Sequence, residues 1–121
     1  MTFLSDEVFD QGLDYADTNL DRIDICSQEP TTYTEATSTY TLGNSATTTG
    51  ATQNGDTDGR KVVVAAIASG SVTGTGTASH FAGTDGTSAL IATKALASSQ
   101  AVTSGNTFTL TAIDITIRDA T

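Results

Sequence analysis

At Leu20 the hydrophobic period of the chain changes from 3.6 residues to 2, and no later stretch returns to helical spacing. That change limits the fold to one short helix followed by strands. Before it, "FLSDEVFDQGLDYADTNLDR" carries Phe9, Leu13, Ala16 and Leu20 at helical intervals. Ser5 stands where an N-cap would, and Asp6 and Glu7 fall in the first turn, where the helix dipole favours negative charge. Projected at about 100° per residue, Val8, Phe9, Gly12, Leu13, Tyr15, Ala16 and Leu20 share one wide arc. Asp6, Asp10, Asp14, Asp17 and Asp21 line the other side. The spacing predicts an amphipathic helix over residues 5–20 with an acidic outer stripe. Gly12 costs such a helix about 1 kcal/mol relative to alanine, so the helix depends on docking. Asp10, Asp14 and Asp17 have spacings that could gather a cation, but a solvated outer face is the ordinary role of an acidic stripe.

After the helix, "RIDIC" (22–26), "TSTYTL" (37–42), "KVVVAAI" (61–67), "SVTGTGTASHFA" (71–82) and "SALIATKAL" (88–96) read as strands, rich in β-branched residues and mostly alternating. Asp85-Gly86 in "GTDGT" is a hairpin signal that makes its flanking strands antiparallel. In "NTFTLTAIDITIRD", Phe108, Leu110 and Ala112 lie on one parity, and Ile113, Ile115 and Ile117 on the other. A switch at Ala112-Ile113 predicts either a β-bulge or a strand that crosses between sheets. "GNSATTTGATQNGDTDG" (43–59) is too polar and glycine-rich for a core and is expected as a long exposed loop. The whole is expected to be a single, mainly β domain over residues 1–121. Its form would be an antiparallel β-sandwich or jelly-roll-like fold over 22–118, preceded by the short helix.

Charge narrows the partners. Fourteen acids against five basic residues give a net −9, which repels nucleic acid and anionic membrane surfaces. Nine of the acids lie before residue 36, opposed only by Arg22. Cys26 stands alone, so an intrachain disulfide is excluded. No apolar run approaches membrane-spanning length and no secretory leader is legible, so the chain is expected to act where it is made.

The stretch with most resemblance to chemistry is "NGDTDGRK" (54–61), which begins like a calcium loop: Asn54, Asp56, Asp58 and Gly59 fill positions 1, 3, 5 and 6. Position 12, which must supply a bidentate carboxylate, falls on Ala65, and Arg60 and Lys61 stand beside the would-be ligands. The cage does not close, and a polar turn entering a strand is the better reading. His80 is the one imidazole and sits in a strand pattern, with no nucleophile-elbow motif in the chain. No catalytic, metal or cofactor residues are assigned, and the chain is not expected to be an enzyme.

The strand wording carries a resemblance. "ICSQEPTTYTEATSTYTLG", "GDTDGRKVVV", "GSVTGTGTASHFAGTDGTSALIATKAL" and "SSQAVTSGNTFTLTAIDIT", with "FLSDEVFDQGLDY" before them, resemble a family of small structural proteins of tailed bacteriophages and prophages. The resemblance runs over nearly the whole chain, in order. It implies a virion component made in the host cytoplasm, in first place a head decoration or cement protein on the outside of the capsid. Its partner would be the major capsid protein, and it would act as a homo-oligomer, a trimer being favoured, that gains avidity from the repeated sites of a shell. A tail, fibre or vertex module is the alternative. On this reading Phe3 and Leu4, the loop 43–59, and Arg60, Lys61 and Arg118 are the expected capsid contacts. The competing roles are a hydrophobic staple for Phe3 and Leu4, and local charge balance for the three cations.

Overall fold

The computed structural model describes residues 5–118, so Phe3 and Leu4 lie outside the described residues. The chain is mainly β with one helix at its start. Helix α1 (Asp6–Asn19) is followed by β1 (Arg22–Cys26), a π-helical turn (Glu35–Thr39), β2 (Thr41–Ala46) and β3 (Gln53–Asn54). The later strands are β4 (Arg60–Val64), β5 (Ile67–Val72), β6 (Gly76–Thr84), β7 (Leu90–Val102), β8 (Thr107–Leu110) and β9 (Ile113–Ile117). Six of them form one antiparallel sheet in the order β7-β6-β1-β2-β5-β8, curled into a half-barrel. The other three form a small antiparallel sheet, β3-β4-β9. Among the described residues no helix is long and apolar enough to cross a membrane.

Helix α1 forms for the reason its sequence gives and docks on its own chain. It packs on β4 and β9 and buries Phe9, Leu13, Ala16 and Leu20. Full burial of a side chain such as Phe9 or Leu13 is worth about 1.5–3 kcal/mol, which outweighs the weakness introduced at Gly12. Ser5 has N-cap backbone geometry, but its hydroxyl makes no capping bond; its carbonyl instead accepts the Val8 and Phe9 amides. The stripe expected to be solvated is partly engaged. Asp10 pairs with Arg60, and Asp17 accepts the Thr49 hydroxyl.

The parity switch in the last strand is a crossing between sheets. β8 pairs with β5 in the large sheet and β9 with β4 in the small one. The register is unchanged across the corner, since Val64 faces Ile113 before it and Ile67 faces Leu110 after it. β4-β5 and β8-β9 are thus one antiparallel ribbon that bends at Ala65-Ala66 and Thr111-Ala112. On both strands the inward positions change parity there: Val62 and Val64 give way to Ile67, and Phe108 and Leu110 to Ile113 and Ile115. The bend lets side chains of both sheets share one core, in which Ile23, Ile25, Val64, Val72, Phe81 and Phe108 are buried.

Several sequence expectations change. Residues 37–42 do not start as a strand, because threonine hydroxyls and Glu35 bond the local backbone. Glu35 accepts from the Thr31 amide and hydroxyl, and Thr37 donates to the Tyr33 carbonyl. The Thr31 amide is the main cause holding the Glu35 carboxyl below its ordinary pKa. "KVVVAAI" is split by the corner, and 71–82 is split at Thr73–Thr75, where the Thr73 and Gly74 amides turn to the Leu42 carbonyl. The segment 43–59 is not one exposed loop: β2 runs to Ala46, Thr49 bridges Val64, and β3 pairs with β4. Gly43 is buried because β5 crosses it closely, and a Cβ there would lie 2.5 Å from the Ser71 carbonyl oxygen.

The expected hairpin joins β6 to β7, with Thr84 opposite Leu90. Asp85 Oδ1 accepts the amides of Thr87, Ser88 and Ala89 at 2.8, 2.8 and 3.0 Å. These bonds, Ala89 first, hold the Asp85 carboxyl below its ordinary pKa. A group whose pKa is depressed by folding stabilises the fold above its unfolded value, about 3.9, and that contribution is lost as pH falls through the folded value. In urea titrations repeated from about pH 5 downward, the wild type should therefore lose stability through this window more steeply than Asp85→Asn. Equal slopes would show that the turn does not depend on the charge.

Candidate functional site

The calcium-like stretch folds as a tight connection between β3 and β4, and its side chains are already partnered. Asn54 Oδ1 accepts from Arg60 Nη1 at 2.7 Å, Asp56 accepts from Lys61 Nζ at 2.6 Å, and Asp58 accepts from Arg118 Nε and Nη2 at 2.5 and 2.9 Å. All three would-be ligands serve cations of the same chain. Among the described residues, no group of three or more His, Cys, Asp and Glu side chains is placed to hold a metal.

The expected contact residues Arg60, Lys61 and Arg118 are brought together at one end of the small sheet, each on carboxylates. Arg60 Nε and Nη2 donate to Asp10 at 2.9 and 3.3 Å, which ties β4 to α1. Lys61 bridges Asp56 and Asp114, at 2.6 and 3.0 Å, with its side chain only 12 % exposed. Those two carboxylates raise the Lys61 pKa, Asp56 first, and Lys61 in turn lowers that of Asp56. Arg118 ties the end of β9 to the turn at Asp58. Their first role is therefore to fasten α1, the turn and β9 to one another.

A polar pair, the buried Asp24 with the part-exposed Arg22, lies on the second face of the large sheet. Asp24 is 0 % exposed in mid-strand; it receives Arg22 Nε and Nη2 at 2.7 and 2.9 Å and the Thr41 hydroxyl at 2.7 Å. The same hydrogen bonds raise the Arg22 pKa. Next to it Cys26 is 0 % exposed, in a small cluster with Ala36 and Ala82, and burial first and the Asp24 charge second push its thiol up to about 12. A thiol so placed is neither nucleophile nor ligand near neutral pH. Native protein should therefore resist iodoacetamide at pH 8, and Cys26 should be alkylated only after denaturant is added; rapid native labelling would contradict its burial.

His80 sits beside Ser79 and Glu29. The Ser79 hydroxyl donates to the Ser27 carbonyl at 3.0 Å, and His80 Nδ1 is 2.9 Å from Ser79 Oγ. With its proton directed to Ser27, Ser79 accepts from Nδ1–H, the reverse of the arrangement that activates a nucleophile. Glu29 stands 4.0 Å from Nε2. The trio secures β6 to the chain after β1.

What remains is surface. The half-barrel is open between β7 and the β8-β9 strand, leaving a groove of about 360 Å³ whose lining includes Phe81, Lys94, Leu96, Leu110, Ile113 and Asp114. β7 and β8 are the outer strands of the large sheet, and β9 is an outer strand of the small one. A single run of chain, Thr107–Ile117, is thus the free edge of both sheets. Sequence reasoning marked this run for a bulge or a crossing but missed its exposure as an edge, because strand order is set by contacts remote in sequence. Compared with protein-family models, curated proteins and solved structures, the chain matches none.

Proposed function

We propose that this chain is a structural component of a bacteriophage virion, a decoration protein that binds the outer surface of the major capsid shell and stabilises it. Within this reading its two sheets are the halves of a jelly-roll-like sandwich, and the protein has no catalytic role. The observation that carries the proposal is how the polar chemistry is distributed. Arg60, Lys61 and Arg118 join elements of their own chain and Arg22 pairs within β1, while a long sheet edge and an acidic exterior face outward. Such a body is suited to being bound as a rigid unit on repeated sites. The segment-by-segment resemblance to phage structural proteins points the same way, and a net charge of −9 suits a surface held away from packaged DNA. Co-sedimentation of the purified chain with empty mature shells tests the reading. Saturable binding without added cofactor is expected, and a chain that stays in the supernatant at all concentrations would contradict it.

A further inference from the structure

We propose that the free edge of β9, together with the flank of α1 that overhangs it, is a self-association surface on which a second copy of the chain pairs about a two-fold axis. Three observations meet at this place, and the first is the edge itself. Thr107–Ile117 carries no bulge of its own, since the irregularity in its pairing with β5 is an extra residue on the β5 side. It reads "TFTLTAIDITI", with one charge and neither proline nor glycine. Within it β9, Ile113–Ile117, pairs regularly with β4 and is β-branched, and an unpaired edge of this kind is a template for another strand. The opposite edge is blunted. In β7 four residues, Leu96–Ser99, stand against Ser79 alone between the Ala95↔His80 and Gln100↔Ala78 pairs, a distortion that turns backbone away from a regular edge.

The second observation is the helix flank. With Phe9, Leu13, Ala16 and Leu20 facing the sheet, Asp10 and Asp17 fall on one side, where they meet Arg60 and Thr49. At about 100° per residue, Val8, Gly12 and Tyr15 fall on the other side. A Cβ on Gly12 would lie 3.4 Å from Ile117 Cδ1, so this flank overhangs β9. Among the described residues, the large apolar side chains left exposed are Val8 at 52 % and Tyr15 at 56 %, and both are on this flank.

The third is charge, which selects the occupant. Two copies at −9 repel wherever their acids face each other. On this flank Val8, Gln11, Gly12, Tyr15 and Asn19 are uncharged, while Glu7, Asp10, Asp14 and Asp17 lie toward the far side. On β9 the one acid, Asp114, is held by Lys61. Among the described residues, two copies can approach here without facing acids. Antiparallel pairing of β9 with itself is isologous and extends the small sheet from three strands to six. It also sets the two α1 flanks side by side, so that Val8 and Tyr15 of each copy are covered. A lone foreign strand would cover the edge and leave both side chains exposed.

The test uses the full chain, by sedimentation velocity from about 1 to 100 μM, a range that brackets the affinities of modest interfaces. The wild type should pass from monomer to dimer, and hydrogen exchange of Asp114–Ile117 should slow as concentration rises. Val8→Glu and Tyr15→Glu change exposed positions; each should retain the wild-type circular dichroism and weaken association by about tenfold to a hundredfold. A wild type that remains monomeric at about 100 μM, forms a trimer, or dimerises equally well in both variants would overturn the proposal, as would exchange independent of concentration. The inference does not rest on the capsid reading: a monomer that still coats shells would end the first and leave the second standing.

Discussion

Arg22→Ala is expected to cost this protein about 2–4 kcal/mol, because it strips the buried Asp24 carboxylate of its part-exposed partner. Asp24 is wholly buried and accepts three hydrogen bonds, two of them from Arg22. Without the guanidinium the carboxylate keeps only the Thr41 hydroxyl, in a place from which water is excluded, and its desolvation is left uncompensated. Domains of this size are stable by about 5–15 kcal/mol, so the variant should lie close to its unfolding threshold and melt roughly 10–20 °C lower. Because the cost comes from the orphaned charge, Arg22→Met combined with Asp24→Leu and Thr41→Val should recover much of the loss, as replacement of buried pairs by apolar groups often does. Urea unfolding of the three proteins decides it. An Arg22→Ala variant within about 0.5 kcal/mol of wild type would mean that the pair contributes no more than an ordinary surface contact.

Gly59→Ala should be nearly as damaging, for reasons of backbone alone. Gly59 has φ +72°, where an L-residue is disfavoured by about 1–2 kcal/mol. A Cβ there would also lie 1.9 Å from the Ile117 carbonyl oxygen and 2.9 Å from Arg118 Cα, so β9 would have to move off β4. The two effects together predict a loss of about 3 kcal/mol or more. Gly105→Ala separates them, because Gly105 has φ +92° but nothing within 4 Å of a Cβ. Thermal melts should place Gly105→Ala below wild type by the dihedral cost alone, about 1–2 kcal/mol, and Gly59→Ala well below that. Equal shifts would remove the clash from the account and leave only the dihedral cost. The glycine that completes the likeness to a calcium loop is therefore explained by the approach of two strands.

How much of this was legible in the sequence depends on how local each cause is. The helix, the period change after Leu20, the Asp85-Gly86 hairpin and the parity switch at Ala112-Ile113 are written in neighbouring residues and were readable as such, though the switch alone did not tell a crossing from a bulge. The same crossing is written once more, in the spacing of Val62, Val64 and Ile67, but the unbroken apolar run around them concealed it. The π-helical turn was hidden because threonine favours strands on average, whereas Thr31, Thr32 and Thr37 here bond the nearby backbone and Glu35. Asp24 alternates with Ile23 and Ile25 and reads as outward; β1 lies inside the sheet, with the chain around Ala36 and Tyr40 folded over its second face. The three clustered cations could be named as residue types, but their carboxylates stand up to 60 positions away, as with Arg118 and Asp58. For the same reason the free edge and the helix flank became visible only once the strand order was known.

If the proposal holds, the chain is part of a phage particle, and its copy number in purified virions tests the central claim most directly. Quantitative mass spectrometry against the major capsid protein should return a ratio near a simple fraction, as a symmetric coat on the head requires. A handful of copies per particle would contradict decoration of the shell and place the chain at the tail or a vertex, and its absence from particles would end the virion reading.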